Sequence, residues 1–216
     1  ERQNFLHFYY FFITHQQKNR GYNGEIIIGG VPLNEVNEIN LMQRVVLVRH
    51  NSYLFKGTVE ENLKMAKPDA TKEEMEAVLQ KVNLLGFLQT QDGLQTQLLE
   101  KASNLSGGQC QRLVIARALL RTDSAVYIFD EAASNIDVES EELIMNVIHE
   151  LAKTKTVLLI SHRLANVVKS DKIYFLKDGE IKESGKHDEL MSQNGAYRHL
   201  YESQMALENY GKGGVA

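Results

Sequence analysis

Cysteine, proline and tryptophan are scarce in this sequence: its 216 residues include one cysteine, two prolines and no tryptophan. A single cysteine excludes a disulfide within the chain and is typical of a reducing compartment. The sequence also lacks the run of about 18 apolar residues that a membrane-spanning helix needs. The formal net charge of −4 argues against a protein that binds nucleic acid by bulk electrostatic attraction.

The overall composition is that of a globular protein, with a hydrophobic share of 43% and a charged share of 24%. The first part of the chain differs, because aromatic side chains crowd the stretch from Phe5 to Phe12. From residue 21 onward the pattern becomes regular. We therefore divide the chain into an atypical segment at 1–20, a main domain at 21–205 and a loose tail at 206–216.

A short turn with two adjacent glycines precedes a predicted helix. Ser106 can cap that helix, because its hydroxyl oxygen can accept a backbone N–H of the first turn. Gly107 and Gly108 have no Cβ atoms, so a phosphate can approach the N–H groups at the positive end of the helix dipole. Apolar residues on one face then anchor the helix, predicted over 109–121, in a core. The turn therefore predicts an anion-binding cradle.

A continuous apolar run at 125–129 predicts a buried parallel strand, because it is rich in β-branched and aromatic residues. Asp130 and Glu131 follow at its carboxyl end, where open α/β sheets bind their ligands. Adjacent strand residues point in opposite directions, so Asp130 can face Mg²⁺ while Glu131 faces a water. The strand and the preceding turn together indicate a nucleotide site.

The rest of the chain alternates between predicted strands and helices. Apolar runs at 44–48 and 156–160 are typical of strands, and the helix predicted before the second one implies a parallel crossover. Thr71 and Glu74 can form a capping box, which introduces a helical region between two stretches of sheet. A tight turn at 178–179 predicts a hairpin.

Several motifs, in this order, resemble those of the nucleotide-binding domain of an ABC transporter. They are Leu-Ser-Gly-Gly-Gln at 105–109, Asp-Glu at 130–131, Ser-Asn-Ile-Asp at 134–137 and Ser-His-Arg at 161–163. Independent short motifs that agree are far more specific than any one alone. The resemblance implies an α/β fold with a P-loop NTPase-like, mostly parallel sheet and a helical subdomain near 61–104. It also implies ATP and Mg²⁺ as cofactors.

The resemblance implies a role for the carboxylates and for one histidine. Glu131 would orient or deprotonate the attacking water, and Asp130 would hold Mg²⁺ through a water molecule. His162 would hydrogen-bond the γ-phosphate and keep that water in line. The residues alone leave other interpretations open, since Glu131 can pair with Arg163 and a histidine at a strand end is often structural.

The resemblance further implies a dimer with a second nucleotide-binding domain. The turn from Ser106 to Gln109 would face a nucleotide held by that second domain, because a cradle of neutral donors needs another surface to supply charges. The loop that ends at Asp137 would cross the same interface. Asp137 can equally serve as the cap of the helix that follows it.

Two stretches resemble exporter-type transporters in particular, namely 54–63 and Glu100, although Leu99 stands where the family has glycine. They imply a transmembrane domain as partner and a place on the cytoplasmic face of the membrane. They also argue against a soluble ABC ATPase of DNA repair or translation. His50 occupies a catalytic position where the family has a glutamine, so we expect slow or altered hydrolysis.

A phosphate loop, Gly-x-x-x-x-Gly-Lys-Ser/Thr, does not occur in the sequence, and the aromatic run stands where the family pattern places it. One explanation is a reading frame that begins inside the domain or is shifted before about Lys18. Others are a degenerate, non-catalytic domain that lends only its Ser-Gly-Gly turn to a complete subunit, or a loop supplied by another chain. We favour the first, because the composition changes abruptly near Arg20. The N-terminal portion of the domain is then incomplete, and the chain alone is not expected to hydrolyse ATP.

Overall fold

The computed structural model describes residues 27–134 and 136–213, which fall into two compact units. We call Met42–Ile160 the central unit. The terminal unit combines the described residues before Met42 with those from Ser161 onward. The atypical segment at 1–20, the predicted site of the phosphate loop and Asn135 lie outside the described residues.

Short strands and helices alternate along the described part of the chain. The strands are β1 (Ile27–Ile28), β2 (Val31–Pro32), β3 (Val45–Arg49), β4 (Gly57–Thr58), β5 (Gln97–Leu98), β6 (Val126–Asp130), β7 (Thr156–Ile160), β8 (Ile173–Lys177) and β9 (Glu180–Gly185). The α-helices are α1 (Glu38–Arg44), α2 (Val59–Lys64), α3 (Lys72–Lys81), α4 (Leu85–Gln89), α5 (Gly107–Leu119), α6 (Val138–Ala152), α7 (His187–Ser192) and α8 (Ala196–Gly213). Among these described residues, no helix has both the length and the apolar character needed to cross a bilayer.

The central unit is built around a parallel sheet in the order β3-β6-β7. The middle strand is the one predicted from the apolar run, and Tyr127, Ile128 and Phe129 are fully buried in it. Helix α6 connects β6 to β7, as expected for a parallel crossover. The structure therefore confirms the predicted α/β fold with a parallel core.

The helices of the central unit begin where the sequence supplies capping side chains. Thr71 and Glu74 form the predicted capping box of α3, and Thr58 and Glu61 form a second one at α2. Helix α3 packs on α5 through buried residues such as Leu79. The stretch 61–104 is thus largely helical, although it also contains β5, which pairs with β4.

The terminal unit contains the predicted hairpin, formed by β8 and β9. Its turn residues Asp178 and Gly179 both have positive φ, at 54° and 78°, which matches the twist of a tight hairpin. Helix α8 buries Tyr197 completely, and His187 Nδ1 lies 2.9 Å from the Tyr197 hydroxyl. Desolvation by this burial raises the pKa of Tyr197 to about 12.

Helix α8 continues to Gly213, so the expectation of a loose tail from residue 206 is wrong for 206–213. No proline or glycine interrupts the helix before Gly211, and Ala206, Leu207 and Glu208 are good helix formers. A tertiary contact also holds this part, because Glu208 Oε1 lies 2.9 Å from Arg163 Nη2. Local propensity and this ion pair together extend the helix.

Candidate functional site

The carboxyl ends of neighbouring strands form one edge of the central sheet. Arg49, Asp130 and Ile160 end β3, β6 and β7 and are in register with one another. Backbone hydrogen bonds continue one residue further. The His50 N–H donates to the Asp130 carbonyl at 3.2 Å, and the Glu131 N–H donates to the Ile160 carbonyl at 3.0 Å. The backbone therefore places His50, Asp130 and Glu131 side by side at this edge.

Arg49 is a charged neighbour of the site that the sequence did not single out. Its Nε lies 3.9 Å from Asp130 Oδ2, across adjacent strands, and the Asp130 side chain is 15% exposed. A lone arginine at a strand end carries no motif, so only the strand register shows that it faces Asp130. The arginine sets a cation beside the carboxylate that would hold Mg²⁺.

Glu131 adopts a left-handed backbone conformation with φ of 50°. Its carbonyl accepts the Ser134 N–H at 3.0 Å, which closes a turn directly after the strand. The prediction that strand alternation orients Glu131 is therefore wrong, because β6 ends at Asp130 and the turn sets the direction of the next side chain. Left-handed backbone is unfavourable for a residue with a Cβ and often marks a functional position.

The glycine turn is the capped amino end of α5. Ser106 Oγ accepts the Gln109 N–H at 3.2 Å, and Gln109 Oε1 accepts the Ser106 N–H at 2.8 Å. Ser106 therefore caps α5, as predicted, and Gln109 completes a capping box that was not predicted. The N–H groups of Gly107 and Gly108 belong to the first turn, where helix geometry provides no partner four residues earlier. They remain suited to an anion.

Gly108 packs directly against the start of α6. Asp137 caps that helix, since its Oδ1 accepts the Ser140 N–H at 2.8 Å. The hydrogen bonds from Ser140 hold the pKa of the Asp137 carboxyl below its usual value. A Cβ on Gly108 would lie 2.6 Å from Ser140 Oγ and 3.1 Å from Asp137 Oδ2. The glycine is therefore required for this packing, and the structure brings the predicted site residues Gly108 and Asp137 together.

His162 is exposed and belongs to the terminal unit, two residues after β7 in the chain. Its carbonyl accepts a hydrogen bond from Gln204 Nε2 at 2.8 Å. Arg163, which the sequence offered as a partner of Glu131, forms an ion pair with Glu208. The contact of His162 with a γ-phosphate stays a prediction.

The residues at the sheet edge are compatible with Mg²⁺ that is bound together with phosphates. In the part of the chain that the structure describes, no group of three or more His, Cys, Asp or Glu side chains could hold a metal ion. Mg²⁺ needs only one or two carboxylates when phosphates and waters complete its coordination. Asp130 fits that requirement. Ser134 Oγ is buried and has no hydrogen-bond partner within 27–134 and 136–213, so it is a further polar group near the carboxylates.

Comparisons with known proteins agree with this geometry. The sequence model of the family described as ABC transporter matches residues 12–134. An uncharacterized ABC transporter ATP-binding protein of Haemophilus influenzae is 49% identical over 190 residues, which are 88% of this chain and 34% of the relative. The ATP-dependent lipid A-core flippase of Vibrio vulnificus strain CMCP6 is 41% identical over 184 residues, which are 84% of this chain and 31% of the relative.

A solved structure is similar over most of the chain. It is a bacterial Atm1-family ABC exporter with ATP bound, with a TM-score of 0.81 and 28% sequence identity. The match covers 89% of this chain and 34% of the exporter chain. The chain thus spans about a third of the length of the curated relatives that it matches. The motifs, the parallel fold and the family match over more than half of the sequence agree, and the chain belongs to the ABC transporter family as a nucleotide-binding domain.

Proposed function

We propose that this chain is the ATP-hydrolysing domain of an exporter-type ABC transporter and couples hydrolysis to transport across a membrane. The observation that carries the proposal is the sheet edge at which His50, Asp130 and Glu131 follow neighbouring strands. The capped glycine turn at the start of α5, also in the central unit, adds backbone N–H groups that can bind an anion. The name of the solved exporter and the names of the relatives support the assignment.

Each polar residue of the site then has a distinct task. Bound Mg·ATP supplies the phosphoryl group and a metal that neutralises its charge. Asp130 would hold the Mg²⁺, and Glu131 would accept a proton from the attacking water. His50 can orient the same water, although an imidazole reaches less far than the glutamine of the family pattern. His162 donates a hydrogen bond to the γ-phosphate.

A second nucleotide-binding domain is part of the proposal. The turn from Ser106 to Gln109 offers only neutral donors, so the charged groups of its nucleotide site must come from a facing domain. A head-to-tail pair satisfies this requirement, because each domain presents its turn to the nucleotide of the other. Asp137 caps α6 beside Gly108, so the loop that ends at Asp137 packs against the glycine turn.

A cleft in the central unit, lined by both apolar and polar side chains, provides a docking surface for a transmembrane domain. It has a volume of about 300 Å³ and is lined by Phe55, Met65 and Arg117, among other residues. Phe55 and Met65 are about half exposed, at 47% and 54%. The ring of Tyr53 packs edge-on against Phe55 with centroids 4.8 Å apart, and its hydroxyl donates to Glu100. An exposed apolar patch with a polar rim is typical of a protein-binding surface.

We assign this cleft to a helix of the membrane domain, which would hold the chain on the cytoplasmic face of the membrane. Arg117 stiffens the cleft, because its Nη2 donates to the Tyr53 carbonyl at 2.9 Å. Desolvation lowers the pKa of the Arg117 guanidinium. Arg117 is half-buried and lines the cleft together with Phe55 and Met65, which favours a partner segment with both apolar and polar side chains.

A second candidate function is a degenerate domain that lends only its glycine turn to a complete subunit. The observations that favour it are the lack of a phosphate-loop motif in the sequence and the histidine at position 50. Such a domain would bind at another subunit's ATP site without hydrolysing ATP itself. Intact carboxylates at Asp130 and Glu131 argue for the catalytic alternative.

Calorimetric titration with Mg·ATP tests the proposal. We expect weak binding by the chain alone, and tight binding with hydrolysis when a phosphate-loop segment is added at its start, because that loop wraps the β-phosphate. Tight binding by the chain alone would show that residues 1–20 form a phosphate site of another kind. Tight binding without hydrolysis by the extended chain would contradict the catalytic proposal and favour the degenerate domain.

A further inference from the structure

The side-chain amide of Gln204 on α8 forms hydrogen bonds with the backbone on both sides of Arg163. Its Oε1 accepts the Leu164 N–H at 2.9 Å, and its Nε2 donates to the His162 carbonyl at 2.8 Å. One side-chain amide therefore pairs with one backbone donor and one backbone acceptor in the segment that follows the end of β7. All these groups belong to the terminal unit.

Two further contacts fix the same segment. Ser161 Oγ accepts the Arg163 N–H at 3.0 Å, which closes a local turn around His162. Arg163 also forms the ion pair with Glu208, one helical turn beyond Gln204 on α8. Leu164 is buried and begins a short 3₁₀-helix, so the segment is anchored on its far side. Contacts of residues before and after His162 in the chain therefore hold its backbone in place.

We propose that Gln204 is a positioning residue for His162. The inference rests on the proposed function, in which the imidazole of His162 contacts the γ-phosphate. The imidazole leaves the chain at the Cα atom beside the His162 carbonyl, and the hydrogen bonds to that carbonyl and to the Leu164 N–H restrain the two peptide groups that follow this Cα atom. A misplacement of about 1 Å in a group that contacts the reacting phosphate can lower a rate by 10²-fold.

Glutamine meets the requirement because it offers an acceptor and a donor on one rigid amide. Glutamate in its place would keep an acceptor for the Leu164 N–H but would set a carboxylate oxygen against the His162 carbonyl. Methionine has a similar length and would offer neither a good acceptor nor a donor. Gln204→Glu therefore removes one of the two hydrogen bonds, and Gln204→Met removes both.

The first test uses the chain as it stands and needs no nucleotide. We expect Gln204→Met to speed the amide exchange of Leu164 by about two- to tenfold, the effect of one lost hydrogen bond. Gln204→Glu should lie between that variant and the wild type. The matched control is Glu202→Gln, which breaks an exposed ion pair with Arg198 at 2.7 Å on the same helix. An unchanged exchange rate at Leu164 in Gln204→Met would overturn the inference.

The imidazole resonances give a second readout in the same samples. We expect the His162 signal of Gln204→Met to move toward the position of an unstructured histidine, because the ring loses its fixed direction. His187, which contacts Tyr197, and His199 on α8 are internal controls, and their signals should not move. A shift of all these signals would indicate a general loss of structure and would overturn a positioning role.

Hydrolysis by the chain with the added phosphate-loop segment distinguishes the positioning role of Gln204 from the proposed function. We expect Gln204→Met to lower kcat by about 10- to 100-fold with an unchanged KM for ATP. In a His162→Ala background, the same change should have no further effect. An equal loss in both backgrounds would overturn the positioning role alone. An unchanged kcat in His162→Ala itself would instead contradict the proposed function, while the exchange test would still stand.

Discussion

Glu131→Gln is expected to lower the rate of ATP hydrolysis by about 10²- to 10⁴-fold, the usual contribution of a general base. The amide keeps the size of the side chain but cannot accept a proton at neutral pH. ATP binding should survive, because the glycine turn and Asp130 are unchanged. The left-handed backbone of Glu131 also survives, since glutamine has the same Cβ and the same conformational cost.

The measurement is steady-state hydrolysis by the chain with the added phosphate-loop segment, together with a binding titration. Glu139→Gln is the matched control, because Glu139 is an exposed carboxylate on the first turn of α6. That variant should hydrolyse ATP at the wild-type rate. A Glu131→Gln variant that retains more than about a tenth of the rate would contradict the role of Glu131 as general base.

Gly108→Ala is expected to lower the free energy of unfolding by about 1–3 kcal/mol, the usual cost of overpacking a close contact. The added methyl would lie 2.6 Å from Ser140 Oγ and 3.1 Å from Asp137 Oδ2, so the start of α6 must move away from α5. The same movement would shift the cap that Asp137 forms. We therefore expect hydrolysis to fall together with stability.

Urea unfolding of the chain as it stands measures this effect. Gly86→Ala is the control, because Gly86 lies within α4 and a Cβ there meets no atom of the described residues within 4 Å. That change should raise the stability by about 0.5–1 kcal/mol, the helix preference of alanine over glycine. Ser140→Ala in the Gly108→Ala background should restore part of the loss, since it removes the shortest contact. Equal effects of Gly108→Ala and Gly86→Ala would contradict the packing argument.

Local patterns made much of the fold predictable. The apolar run before Asp130 identified the central strand, because a strand buried on both faces needs apolar residues throughout. Ser106 and Thr71 identified the starts of α5 and α3, because capping depends on residues only three positions apart. The order of strand and helix was enough to predict parallel pairing of β6 and β7.

Contacts between residues distant in sequence could not be predicted in the same way. Gln204 and His162 are 42 residues apart, and nothing in their spacing indicates a hydrogen bond. Arg49 meets Asp130 only through the register of two strands, and Ser140 meets Gly108 only through helix packing. The left-handed conformation of Glu131 also escaped prediction, because sequence preferences favour glycine there.

We propose that each ATP site combines Glu131 of one copy of the chain with the glycine turn of a second copy. The most direct measurement mixes two inactive variants, Glu131→Gln and Ser106→Arg, each with the added phosphate-loop segment. In a head-to-tail dimer, every mixed pair retains one site in which both groups are intact. We expect the mixture to recover roughly a quarter of the wild-type rate, because half of the dimers are mixed and each has one working site. A mixture as inactive as its separate components would contradict the pairing of Glu131 with the glycine turn of a second copy.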